Sequence, residues 1–247
     1  MRVLIACLAM FFLLGSVSHA ADIVFVKQNS EPKYLPDQSG LCDQIYAELS
    51  KRLSEQGITT TVDEAFYPVK RILAMLEAGQ GHAFCGAGMT DERKTLYVYS
   101  KIPVYHVSNV ILAHKEETVI PTTFAEIAEK QLVIGSFYGT SSSAWLMHQP
   151  GVQVSNNHVS LDNVVKLISD QKGLRYFFYH DLGLNYYVRT RGLPLQVLPT
   201  RYRTIPQNML YSRALPEALR NAVEDALQDM QDEGVMTHIQ QQYLTNE

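Results

Sequence analysis

What the chain lacks narrows its class before anything it contains. Its 247 residues hold no low-complexity run, no block of like charge and no internal repeat. A chain without biased tracts and with ample apolar residues reads as globular rather than disordered or fibrous. Beyond the first 20 residues no stretch reaches the ~20 consecutive apolar residues of a membrane helix. The formal net charge is −4, so there is no basic surplus to bind nucleic acid non-specifically. The eight histidines never fall at metal-ligand spacings, and no motif implies a metal or a cofactor.

What is present begins with a leader. Arg2 is followed by an apolar run over residues 3–14 and by Ser18-His19-Ala20, a small-x-small site. That order predicts a secretory signal peptide over 1–20, cleaved after Ala20, and an exported, soluble product in a bacterial periplasm. Cys7 lies early in the apolar run instead of following it, which argues against lipidation. Cleavage removes one of 21 basic residues and none of the 25 acidic ones, for a net charge of −5. The remaining residues suffice for one large domain or two lobes of about 100 residues. Two cysteines survive, Cys42 and Cys85. An even pair in an oxidising compartment suggests a disulfide, with two buried thiols as the alternative. No base is placed beside either one to make a catalytic thiol.

Strand-like and helix-like segments alternate, the pattern of an α/β fold. Residues 22–27 are β-rich. Residues 40–53 carry Leu41, Ile45, Tyr46, Leu49 and Leu53 at helical spacing. A strand over 59–66 precedes a helix opened by Pro68, which buries Ile72, Leu73, Met75 and Leu76. Tyr34 and Tyr67 precede the two helices; each either walls a ligand or packs within its loop. A short apolar segment from Ala83 ends at Gly86 and Gly88, where backbone can turn sharply or a ligand can approach closely. Thr90-Asp91-Glu92-Arg93 follows. An arginine just past a strand's carboxyl end stands where open α/β sheets bind ligands, and its planar fork suits a carboxylate. The alternative is a surface arginine beside Asp91 and Glu92. The long run over 104–114 reads as one extended strand. Past a helix at 123–130 and a strand at 131–137, Gly139 and Thr140 open a hydroxyl-rich helix start. Such a start either receives an anion or is ordinarily capped. Further on, a strand over 174–179 ends at Asp181, which either pairs with an amino group or caps the next helix. The chain closes on helical residues 215–244, interrupted at Gly234.

Residues 79–105 resemble the central motif of family 3 extracellular solute-binding proteins, the amino-acid-binding components of bacterial ABC importers. That family reads G-x-x-D-A, T-x-x-R and F-S-x-P-Y. Here Gly79-Gln80-Gly81-His82-Ala83, Thr90 to Arg93, and Tyr99-Ser100-Lys101-Ile102-Pro103-Val104-Tyr105 stand in that order. His82 replaces the usual aspartate, and one extra residue precedes Tyr105. Glu233-Gly234 through Ile239 and Tyr243 resemble the closing helix motif, so the resemblance runs over the whole mature chain. It implies a two-lobed type II binding-protein fold with a two-strand hinge and an interlobe cleft. Lobe 1 would comprise 21–112 and 205–247, and lobe 2 would comprise 113–204. It also implies that Arg93 holds a ligand carboxylate together with Thr140, near Gly88, Thr90 and Gly139, and that Asp181 receives an α-ammonium.

The expected function is capture of a small amino acid or related carboxylate by a monomeric periplasmic protein that serves an inner-membrane permease. A sensory partner of a membrane protein is a second reading. An enzyme of the dehydratase type on this fold is a third, with His106, His180 and Glu64 as proton-transfer candidates.

Overall fold

The computed structural model describes residues 22–244; the leader expected over 1–20 lies outside them. The first half alternates as expected: β1 (Ile23–Gln28), α1 (Leu41–Glu55), β2 (Thr60–Tyr67), α2 (Val69–Glu77) and β3 (Ala83–Ala87). The α1 stripe of Leu41, Ile45, Leu49 and Leu53 is fully buried or nearly so, each side chain contributing about 1.5–3 kcal/mol. A short helix absent from the sequence reading, α3 (Asp91–Leu96), follows β3. It starts where the Thr90 hydroxyl accepts from the backbone N–H of Arg93.

The long strand is β4 (Val98–His114). After it come α4 (Phe124–Glu129), β5 (Val133–Phe137), α5 (Ser141–Met147), β6 (Gln153–His158), α6 (Leu161–Ser169), β7 (Tyr176–His180), α7 (Asp181–Arg191), a three-residue β8 (Leu195–Val197) and β9 (Arg203–Tyr211). Two helices close the chain, α8 (Glu217–Asp232) and α9 (Val235–Leu244). Gly234 between them sits at φ 76°, the left-handed conformation that glycine adopts without steric penalty. None of the described helices is long and apolar enough to cross a membrane.

The strands form one sheet ordered β2-β1-β3-β9-β4-β7-β5-β6, with β8 added on β4. Its two ends serve different cores. On one side Phe25, Ile45, Leu76, Phe84, Met209 and Leu227 share a cluster. On the other, Val110, Phe177 and Leu184 pack on one face and Ile111, Ile134 and Phe178 on the opposite face. The strand period of two explains why Val110 and Ile111, and likewise Phe177 and Phe178, part company. Along β4 the packing changes sides between Val107 and Val110, ahead of position 112; on the return it changes between Tyr202 and Ile205. Through this passage β4 and β9 remain paired antiparallel, with Tyr105 opposite Gln207, Val107 opposite Ile205 and Asn109 opposite Arg203.

Cys42 and Cys85 are joined by a disulfide, Cα to Cα 5.9 Å, tying the start of α1 to β3. This settles the alternative that the sequence left open. The end of the chain is locked back onto β4 and β9 by Glu224, whose carboxylate accepts from the Tyr211 hydroxyl at 2.6 Å and the Lys101 N–H at 2.8 Å.

Candidate functional site

The site begins where β3 runs out. Gly86 lies at φ 80°, and a Cβ there would meet the Tyr105 hydroxyl at 2.0 Å, so only glycine fits. The carbonyl of Gly86 accepts from Lys33 Nζ at 3.1 Å. Lys33 belongs to the β1–α1 connection. That loop is pinned by Asp43, whose carboxylate accepts the N–H groups of Leu35 (2.8 Å) and Gly40 (3.1 Å). The lysine stem is thereby turned inward over the ring of Phe84, 4.8 Å from Nζ to centroid, and Nζ also donates to Gln28 Oε1 at 2.7 Å. Lys33 is 3% exposed, and burial, then the nearby Arg93, lower its pKa from 10.5 to about 7. Nothing in the sequence pattern marks it.

Arg93 is buried at the same strand end. Its Nη1 donates to the Gly88 carbonyl at 3.0 Å and its Nη2 to the Gly139 carbonyl at 3.2 Å. The second bond crosses from one half of the molecule to the other. Thr90 is the α3 cap described above, so it positions Arg93. Gly88 faces the opposite half, where a Cβ would come within 2.3 Å of Ser141 Oγ.

The facing wall is the start of α5. Gly139 takes φ 74°, and Thr140 caps the helix by accepting from the Ser143 N–H at 3.2 Å while donating to the Phe137 carbonyl at 3.1 Å. Lys70 of α2 lies over the Tyr138 ring at 3.9 Å, a second bond between the halves. A third is the ion pair of Arg191 with Glu31 at 3.4 Å.

Three cavities open along this seam. An inner chamber of about 40 Å³ is walled by Lys33, Arg93, Gly88, Ser141, His180 and Gln207, among others. It shares Gln28, Val69, Thr140 and Tyr179 with an outer chamber of about 260 Å³, which reaches Glu31, Tyr187 and Arg191. A third space of about 440 Å³ lies on the other side of Arg93 and Thr140, between α2 and α5.

Three expected site residues are placed elsewhere. Asp181 does not line these cavities. Its carboxylate accepts the N–H of Ser108 on β4 and of Leu182, both at 2.9 Å, and is ion-paired with Arg201. Nor does it cap α7; His180 does, its Nδ1 accepting from the Gly183 N–H at 3.1 Å. Tyr34 is core, 1% exposed, with its hydroxyl 3.0 Å from that of Tyr46 and donating to the Cys85 carbonyl at 3.1 Å. Tyr67 donates to Asp63 Oδ2 at 2.9 Å and stays off the cavity walls. Of the proton-transfer candidates, Glu64 and His106 are exposed, and only His180 reaches the cleft. Burial, then Lys33, lowers the His180 pKa from 6.5 to about 3, so its ring is neutral. With Nδ1 accepting, the ring proton sits on Nε2, making His180 a donor.

The comparisons agree with this architecture. The profile of the bacterial extracellular solute-binding proteins, family 3, matches residues 24–246. Nothing among the curated proteins matches the sequence. Among solved structures, an ancestral arginine-binding protein bound to arginine superposes with a TM-score of 0.74 at 15% identity, covering 90% of this chain and 97% of that one. The ancestral amino acid-binding protein AncCDT-1, a precursor of cyclohexadienyl dehydratase, gives 0.73 at 17% identity over 90% and 94%. The GluR0 ligand-binding core from Nostoc punctiforme in complex with L-glutamate gives 0.73 at 13% identity over 90% and 99%. These likenesses establish the type II binding-protein fold, and the match over nearly the whole chain establishes that it belongs to family 3 of the bacterial extracellular solute-binding proteins.

Proposed function

We propose that this protein captures a small carboxylate-bearing solute in the cleft between its lobes, in the periplasm, and presents it to a membrane partner, an ABC permease. One observation carries the reading. Arg93 is a buried guanidinium at the seam, hydrogen-bonded to a carbonyl of each lobe. Both acceptors are neutral, and a guanidinium has more donors than two carbonyls use. A carboxylate between Arg93 and the α5 N-terminal turn at Thr140 would balance the charge and hold the two lobes together. Ligand and closure then stabilise each other. Lobe 1 would be 21–112 with 205–247, and lobe 2 the segment between.

Binding is favoured over proton-transfer catalysis because His180 is held neutral with its Nδ1 already occupied. The test is calorimetry of the mature chain against a panel of small carboxylates, with Arg93→Ala. A desolvated charge pair lost from one side should weaken binding by about thirtyfold or more. A solute bound equally well by wild type and Arg93→Ala would sink the proposal. For the partner, deletion of the gene should abolish uptake of the solute so found.

A further inference from the structure

The inner chamber is lined by donors. Arg93 is a cation, Lys33 is an amine that is charged part of the time near pH 7, His180 offers Nε2–H, and Gln207 and Ser141 complete a wall on which no carboxylate stands. Asp181, the acid nearest in sequence, is turned to the hinge and paired with Arg201. In the outer chamber Glu31 and Asp162 both lie beside Arg191, at 3.4 and 3.5 Å. Within the inner chamber, an α-ammonium delivered with its carboxylate would therefore meet the Arg93 guanidinium, a lysine that charges near pH 7, and no acid to receive it. Like charges juxtaposed in a desolvated site are strongly disfavoured.

We propose that the ligand is a small organic acid without an α-ammonium, a hydroxy-, oxo- or dicarboxylic acid, whose carboxylate is held between Arg93 and Lys33. This rests on the reading of Arg93 as the carboxylate donor, and it makes Lys33 the residue that selects against amino acids. The two acceptors that Lys33 reaches, Gln28 Oε1 and the Gly86 carbonyl, are neutral, so an anion supplies its missing counter-charge. Beside the outer chamber the Tyr187 hydroxyl is fully buried and makes no hydrogen bond among the described residues. An inner chamber of about 40 Å³ has room for a carboxylate head, and the roomier outer space of about 260 Å³ takes the remainder.

The experiment uses matched pairs that differ chiefly at the amino-bearing carbon: lactate and alanine, malate and aspartate, 2-oxoglutarate and glutamate. Each is titrated calorimetrically into the mature wild-type protein, Lys33→Met and Arg93→Ala. The acid of at least one pair should bind at least about tenfold more tightly than its amino partner. Lys33→Met, checked for a wild-type far-ultraviolet spectrum, should erase that preference. A wild-type readout needs no variant. In ligand-free protein at neutral pH, Lys33 carries its proton only part of the time, and an anion beside it raises its pKa. Binding near pH 7 should thus take up about half a proton, seen as a heat that depends on buffer ionisation enthalpy. Tighter binding of the amino members, equal binding within pairs, or an uptake near zero overturns the assignment. If such binding still needs Arg93, the capture function itself stands. If no carboxylate binds, or binding ignores Arg93, both readings fall together.

Discussion

Replacing Lys33 with Met removes one buried ammonium while keeping an unbranched apolar stem in the same slot. The consequence for stability depends on pH in a way that the structure dictates. In the folded, ligand-free protein, burial and then Arg93 bring the Lys33 pKa from 10.5 to about 7. Between those values the unfolded chain binds a proton that the folded chain does not, so stability rises with pH. Below pH 7 both states bind it, and the full cost of charging the buried group stands. Each pH unit is worth about 1.4 kcal/mol once the folded group is neutral, so the gain from pH 7 to 9 is about 2 kcal/mol. Urea unfolding at pH 6, 7, 8 and 9, followed by circular dichroism, measures it. Relative to Lys33→Met, the wild type should gain that amount between pH 7 and 9 and nothing between 6 and 7 beyond the onset of titration. The upper limit stays below the range in which tyrosines ionise. A difference between the two proteins that is constant from pH 6 to 9 refutes the reasoning, because it would mean that Lys33 is solvated or already paired with an anion.

Other outcomes follow from the same geometry. The Cys42–Cys85 bridge closes a sequence separation of 43, so the chain-entropy argument gives it about 4 kcal/mol, and reduction should lower the urea midpoint accordingly; an unchanged midpoint refutes it. Gly86→Ala, at φ 80° and 2.0 Å from the Tyr105 hydroxyl, should lose solute binding as well as the ~1–2 kcal/mol of left-handed strain. Gly57→Ala, at φ 76° with nothing within 4 Å, should cost only the strain and bind normally. His180, with its pKa lowered from 6.5 to about 3, binds no proton where the unfolded chain does, so stability should fall as pH falls through that window. Between pH 6.5 and 4.5 the loss is about 2 kcal/mol, and His180→Asn, which retains a capping side chain, should flatten that slope.

Much of the fold was legible because it rests on period and punctuation. The α1 stripe, Pro68 ahead of α2 and Gly234 between the last helices all lie where the spacing predicts. What escaped was short or unpatterned. The helix α3 is six residues and β8 is three, too brief to display a repeat. The order of motifs around Arg93 marked the strand end where the cleft is built, while Asp181 stands one residue past the side chain that lines it. At a junction between strand and helix, adjacent side chains face opposite sides. His180 takes the cleft side and Asp181 the hinge side, and sequence alone does not reveal which. Lys33 was missed for the opposite reason, since lysine is ordinarily a surface residue and this one is driven inward by a loop that Asp43 ties at Leu35 and Gly40, eight and three residues away in the chain.

The paired strands β4 and β9 carry a consequence for how affinity and selectivity divide. Their ladder continues through the passage between the lobes, at Tyr105–Gln207, Val107–Ile205 and Asn109–Arg203. A continuous ladder resists sliding of the lobes, and opening by bending this two-stranded ribbon would serve every solute alike. The fraction of molecules already closed multiplies each apparent affinity by one common factor. Substitutions along the ribbon, away from the cleft walls, act as a volume control: they raise or lower all affinities together and leave the order of preference among solutes as it was.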